Sequence, residues 1–162
     1  MIAIIRISGM VGVNEDVENT LLRLRLRRKY SCVILRESKE LSGMLNKIRS
    51  FVAYGEIDKE TFVELAEKRG ELIDKNKKTD KKGAGEQYFS GKKKLQDYNL
   101  KPFFRLHPPR KGINSKKHYP VGVLGSHGKE INNLIKRMLW KERKLWNLKK
   151  EKNLQELGEQ EH

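Results

Sequence analysis

The chain opens on Met-Ile-Ala-Ile-Ile-Arg-Ile, a β-branched and almost wholly apolar run whose end is punctuated by Gly9 and Gly12. That pattern predicts a central strand. Asn14 then stands where a helix N-cap would, followed by Glu15, Asp16 and Glu18, anions suited to the positive end of a helix dipole. Val17, Leu21 and Leu24 follow at helical spacing, with Leu22 and Leu26 beside them, and Arg27, Arg28 and Lys29 fall at the expected C-terminal end. The Leu-Arg alternation over 22–27 also suits a strand, but capping and charge order favour helix. Ser31–Arg36 predicts a second strand. Ser38 caps a helix with Leu41, Met44, Leu45, Ile48 and Val52 on one face, and Val52–Gly55 can form a short third strand. Asp58 caps a further helix with Phe62, Leu65 and Ala66 inward, ended at Gly70.

Residues 1–57 thus read as a β-α-β-α-β core of the α+β class, half of a ferredoxin-like fold, with both helices on one sheet face. A doubly wound parallel sheet would need more strands than this segment supplies. Residues 58–91 carry eight basic and eight acidic residues and include the low-complexity run Lys75–Lys82, which reads as a charged helix and hinge. Residues 130–150 predict a C-terminal amphipathic helix on Ile131, Leu134, Ile135, Met138 and Leu145, with Glu142 as a polar interruption. Residues 151–162 read as a frayed tail.

Charge changes this picture most between 92 and 129. Ten Lys and Arg face the single acid Asp97 there, +9 of the +15 carried by all 162 residues. So charged a segment, rich in Pro, Gly and His, reads as an extended basic arm that gains order on a polyanion, and RNA is the obvious one. A membrane surface fits poorly, because no run of about 18 apolar residues occurs. Met1–Ile7 is also too short and too β-like for the apolar region of a signal peptide. Cys32 is the only cysteine, which suits a reducing cytoplasm and reads as a small buried hydrophobe.

Three constellations invite sharper chemistry. Gly122-Val-Leu-Gly-Ser-His-Gly-Lys-Glu130 enters a helix, but Val123 stands where a P-loop needs its first glycine, and Glu130 would set a carboxylate beside phosphate. A nucleotide-using enzyme is therefore the weakest reading, and a backbone nest gripping one RNA phosphate fits better. His107, His118 and His127 match no zinc spacing, so no metal or other cofactor is expected, and each can instead bond a phosphate or base. In Arg105-Leu-His-Pro-Pro-Arg-Lys-Gly112 two prolines stiffen the backbone and hold Arg105, Arg110 and Lys111 apart for phosphate contact.

The stretches Thr20–Tyr30 and Gly43–Gly55 resemble the universal large-subunit ribosomal protein L-thirty family, called L-seven in eukaryotes. Phe104–Gly112 and His118–Lys129 are similar to its longer archaeal form, and the likeness spans about residues 1–140. The resemblance implies a non-catalytic, cytoplasmic component of the large ribosomal subunit that touches 23S-type rRNA and neighbouring ribosomal proteins. No membrane, small-molecule substrate or homo-oligomer is implied. On matching positions it implies RNA contacts at Arg27, Arg28, Lys29, Lys47, Arg49, Arg105, His107, Arg110 and Lys111. The basic segment adds Lys116, Lys117, His118, His127 and Lys129. Gly43 matches a family glycine where a helix could approach RNA or the sheet closely. Short bacterial forms are basic in the first strand–helix loop, whereas Glu15 and Asp16 stand here, so no RNA contact is assigned to that loop. A free RNA chaperone is the main rival.

Overall fold

The computed structural model describes residues 1–91, 94–113 and 115–139. The chain runs β1 (Ile2–Arg6), α1 (Glu15–Arg23), β2 (Ser31–Leu35), α2 (Lys39–Ile48), β3 (Val52–Glu56), α3 (Lys59–Arg69), α4 (Lys81–Phe89), β4 (Phe104–Arg105), β5 (Gly125–Ser126) and α5 (Ile131–Met138). The strands form one sheet in the order β4-β2-β1-β3-β5. β1 is central and pairs antiparallel with β2 and β3, as its apolar run predicts. The two-residue strands β4 and β5 close the edges, antiparallel to β2 and parallel to β3 respectively.

The helices α1 and α2 cover one face, where Ile4, Leu21, Leu24, Val33, Leu45 and Ile48 share a core. Both begin at the predicted caps: Asn14 Oδ1 accepts from the Asp16 amide and Ser38 Oγ from the Leu41 amide. The opposite face is covered as well. Ala3, Ile5, Cys32, Ile34 and Ala53 pack there against Phe62 and Leu65 of α3, Ala84 of α4, Phe104 of β4 and Ile135 of α5. Burial pushes the Cys32 thiol up to about 12, consistent with a packing role.

Four features depart from the pattern read along the sequence. α1 ends at Arg23 rather than running to Lys29, because residues 24–30 form an irregular loop with Arg25 and Tyr30 in the left-handed region. Leu24 and Leu26 point inward from it while Arg25, Arg27 and Arg28 point out, which explains the ambiguous Leu-Arg alternation. A helix not foreseen in the Lys/Gly-rich run, α4, forms because Gly85 permits close approach to Val63 and Ala66 of α3. The basic segment after residue 94 is not separate from the sheet: it supplies both edge strands and buries Leu95, Leu100, Phe104, Leu106, Val123 and Leu124. Its apolar residues are few but spaced to dock. Finally, Asp58 occupies the N-cap of α3 without a side-chain cap, and its amide donates instead to Asn132 Oδ1 of α5. The continuation of the C-terminal helix to 150, including Glu142 and Leu145, and the tail 151–162 lie outside the described residues.

Arg6 ends the central strand and is 2% exposed. No carboxylate meets it. Its guanidinium donates to the carbonyls of Ser8 (3.1 Å), Gly9 (3.0 Å), Leu26 (2.8 Å) and Arg27 (3.1 Å). Burial lowers its pKa from the ordinary arginine value, with Glu18 acting in the opposite sense. One side chain thereby ties the β1–α1 loop to the α1–β2 loop. Arg6→Met leaves these carbonyls without their donor and is expected to cost about 3 kcal/mol, read as a lower urea midpoint at unchanged m-value. A loss under about 1 kcal/mol would mean that water replaces the guanidinium freely.

Candidate nucleic-acid interface

The register of the sheet brings basic side chains to one of its ends. Arg105 of β4 lies opposite Ser31, and Arg6 opposite Val52, so the start of β2, the end of β1 and the start of β3 are neighbours. Onto this rim open the loop 24–30, the residues Arg49 and Ser50 before β3, and the segment that leaves β4 at Leu106, whose amide donates to the Tyr30 carbonyl. His118 reaches the same end, with Nε2 3.5 Å from Ser50 Oγ.

The best-formed feature of the rim is a groove of about 520 Å³ between the loop after α1 and β4. It is lined by Arg23, Arg25, Arg27, Arg28 and Arg105 together with Leu22, Ser31 and Phe103. All five arginines are exposed, and none forms an ion pair among the described residues. Five unneutralised guanidinium groups around one concavity repel one another and attract a polyanion. The Arg105 guanidinium lies over the Phe103 ring, 5.8 Å from its centroid, so a cation and an aromatic face share the groove wall. Lys29 stands beside it, with its ammonium 5.0 Å from the centroid of Tyr30.

The remaining sequence candidates divide. Arg49, Lys116, Lys117 and His118 are exposed at or near the rim. Lys47 is exposed too, 3.8 Å from Asp16 in a solvated pair worth at most about 1 kcal/mol. His107 and Arg110 project from the Pro-Pro segment while Leu106 and Pro109 turn inward. The segment is held in place by Arg137 of α5, which donates to the carbonyls of Arg110 and Gly112. Lys111 is exposed on the left-handed turn that follows.

Two of the sequence candidates lie apart from the rim. His127 is 8% exposed, with Nε2 2.7 Å from the Val123 carbonyl and its ring against Tyr119, so it is a satisfied interior histidine without a face for phosphate. Lys129 is exposed but lies toward the other end of the sheet, where Asn132 bonds both its carbonyl and that of Glu56. Within residues 122–130 the amides of Gly122, Val123, Leu124, His127 and Glu130 already donate to backbone carbonyls and are not available to a phosphate. Among the described residues no three His, Cys, Asp or Glu gather to hold a metal ion, and no helix is long and apolar enough to cross a membrane.

Sequence reasoning missed Arg23, Arg25 and Phe103. Assigning residues 24–29 to a helix put Arg25 on the wrong surface, and nothing in the spacing brings Phe103 to the loop after α1. Gly43, assigned a close approach, is exposed on α2, and a Cβ there would meet nothing within 4 Å. The approach to the sheet is therefore excluded.

The described residues define a basic α+β domain with one five-stranded sheet and an arginine-lined rim. Comparison with known proteins narrows it. The model of the family described as ribosomal protein L30p/L7e matches residues 2–52. Large ribosomal subunit protein uL30 of Archaeoglobus fulgidus is 44% identical over 151 residues, covering 85% of this chain and 99% of that protein. The uL30 proteins of Methanococcus vannielii and Nanoarchaeum equitans are each 38% identical, again over 85% of this chain and 98% and 97% of theirs. The chain belongs to the ribosomal protein L30p/L7e family, in its archaeal form, and that family is structural rather than enzymatic.

If Gly43 has no intramolecular role, Gly43→Ala should stabilise the free protein by about 1 kcal/mol through helix propensity, raising Tm by about 3 °C. A lower Tm would reveal a packing constraint that the free chain hides.

Proposed function

We propose that this chain is a structural constituent of the large ribosomal subunit that binds 23S-type rRNA through the arginine-lined rim of its sheet. The observation that carries the reading is the groove itself: five exposed arginines that form no ion pair among the described residues, contributed by the end of α1, the loop after it and the edge strand β4. Arg27, Arg28, Lys29, Arg49 and Arg105 sit on the groove or its rim, and Lys47, His107, Arg110, Lys111, Lys116, Lys117 and His118 extend the contact outward. Phosphate neutralisation supplies affinity, and the rigid loop supplies register. Neighbouring large-subunit proteins share the site of assembly. The exposed Gly43 would let an RNA backbone pass close to α2, so Gly43→Ala should weaken RNA binding while it stabilises the free fold.

The rival reading, an RNA chaperone that visits ribosomes, shares the charge but not the persistence. Two measurements test the proposal. The first is affinity for a large-subunit rRNA fragment against salt. Changing Arg27, Arg28 and Arg105 together to Gln should reduce the slope of log K against log salt by about two to three. An unchanged slope would remove the groove from the interface. The second is sedimentation of lysate in high-salt sucrose. Co-migration with the large subunit supports the constituent, whereas recovery only in light fractions supports the chaperone.

A further inference from the structure

The groove is concave, and its lining is not purely cationic. Leu22, one of the few large apolar residues left exposed, is 43% accessible and belongs to this wall, as does the half-buried Phe103. A surface that only tracked the backbone of a duplex would need charge alone, on a flat or convex face. An apolar floor under a rim of guanidinium groups matches a ligand that is itself amphipathic, with a flat aromatic face and an anion one bond chain away. An unpaired nucleotide has that chemistry. At about 520 Å³ the groove falls within the range of small-molecule sites.

The details of the wall agree. Phe103 places an aromatic ring 5.8 Å from the exposed Arg105 guanidinium, so a planar cation able to stack on a base and an aromatic face share one wall. Arg25 is fixed on the facing side by a left-handed backbone, a conformation that a non-glycine residue adopts at a cost and that recurs at binding sites. The carbonyls of Leu26 and Arg27 are clamped from below by Arg6, so the loop does not need to order when a ligand arrives. A second, smaller depression of about 260 Å³ shares Arg23 and Arg25 with the groove and continues along β2 beyond the end of β4, past Gln96 and Lys94. A strand emerging from the first site has a path.

We propose that the groove between the α1–β2 loop and β4 captures an unpaired RNA nucleotide, its base stacked on Arg105 over Phe103 and beside Leu22, its phosphates held by Arg25, Arg27 and Arg28. The proposal rests on the RNA-binding reading and adds a preference for unpaired over paired RNA.

The test uses the full chain with two RNA hairpins, one fully paired and one identical but for a single bulged purine replaced by 2-aminopurine. The bulged hairpin should bind about tenfold more tightly, with a change in 2-aminopurine fluorescence on binding. Arg105→Lys keeps the charge and loses the plane, so it should erase the preference while the salt slope stays the same. Leu22→Ser, at an exposed position, should reduce the preference without loss of folding, checked by circular dichroism. Equal affinity of the unmodified protein for the two hairpins, or a preference that survives Arg105→Lys, overturns the nucleotide site and leaves the RNA-binding reading standing. Failure to bind either hairpin at low salt overturns both.

Discussion

A single buried cation fixes the end of the sheet where the candidate interface is built. Arg6 lies in the central strand, and its guanidinium is surrounded by backbone carbonyls of two loops. Burying such a group without an acid is unfavourable unless its N–H groups are bonded, and here four carbonyls provide the compensation. The arrangement is directional. It shapes the β1–α1 loop through Ser8 and Gly9, and the arginine loop through Leu26 and Arg27. Tyr30, whose amide donates to the Arg6 carbonyl at 2.7 Å, then returns the chain to β2. A carboxylate partner would have neutralised one cation near an electropositive rim. Carbonyl dipoles hold Arg6 and leave the net charge of the rim untouched.

The distribution of acids follows the same logic. Glu15, Asp16 and Glu18 sit in the first turn of α1, where the helix dipole stabilises them, and Asp16 draws Lys47 into a loose pair. The groove arginines form no such pair among the described residues, although the charge of Arg105 is felt by Glu71. The other ion pairs among the described residues are Lys68–Glu64 on α3 and Lys101–Glu71. Ion pairing among the described residues thus lies away from the groove arginines, as the proposed RNA-binding role would require. Self-repulsion among the bare arginines destabilises the free protein slightly, and a polyanion removes that penalty on binding.

How much of this was legible along the chain depends on whether an effect is local. The caps at Asn14 and Ser38, the central β1 and the placement of α1 and α2 on one face follow from periodicity and short-range chemistry, and the structure agrees. The end of α1 does not. Leu24 keeps helical spacing with Leu21, and Leu26 with Leu22, but Leu26 is drawn into the core as its carbonyl meets Arg6, twenty residues away. Helix propensity gives way to a tertiary hydrogen bond. Arg6 itself carried a signal that could have been used: a charge inside an apolar central strand must find partners, and the loops at the strand's end are the nearest supply. Phe103 carried none, since its role depends on β4 pairing with β2, a contact about seventy residues long in sequence. The burial of His127 was missed for a related reason, because a histidine in a loop-like sequence was assumed to be solvated, whereas Val123 and Tyr119 enclose it.

The basic segment shows why composition alone misjudges order. At +9 over 92–129 the expected apolar burial looks too small to offset chain entropy. The segment nevertheless docks because its few apolar residues each occupy a prepared place: Phe104 against Phe62 and the sheet, Leu106 beside the start of β2, Leu124 beside β5. Backbone bonds to Tyr30, Met138 and Arg137, with the Arg137 guanidinium bridging two carbonyls, hold the Pro-Pro stretch between them. What matters is burial per anchor, not the mean hydropathy of the run. A segment fixed at such anchors holds Arg105, Arg110 and Lys111 at set positions on the surface. The ordering entropy of the segment is then offset by folding itself rather than by a ligand.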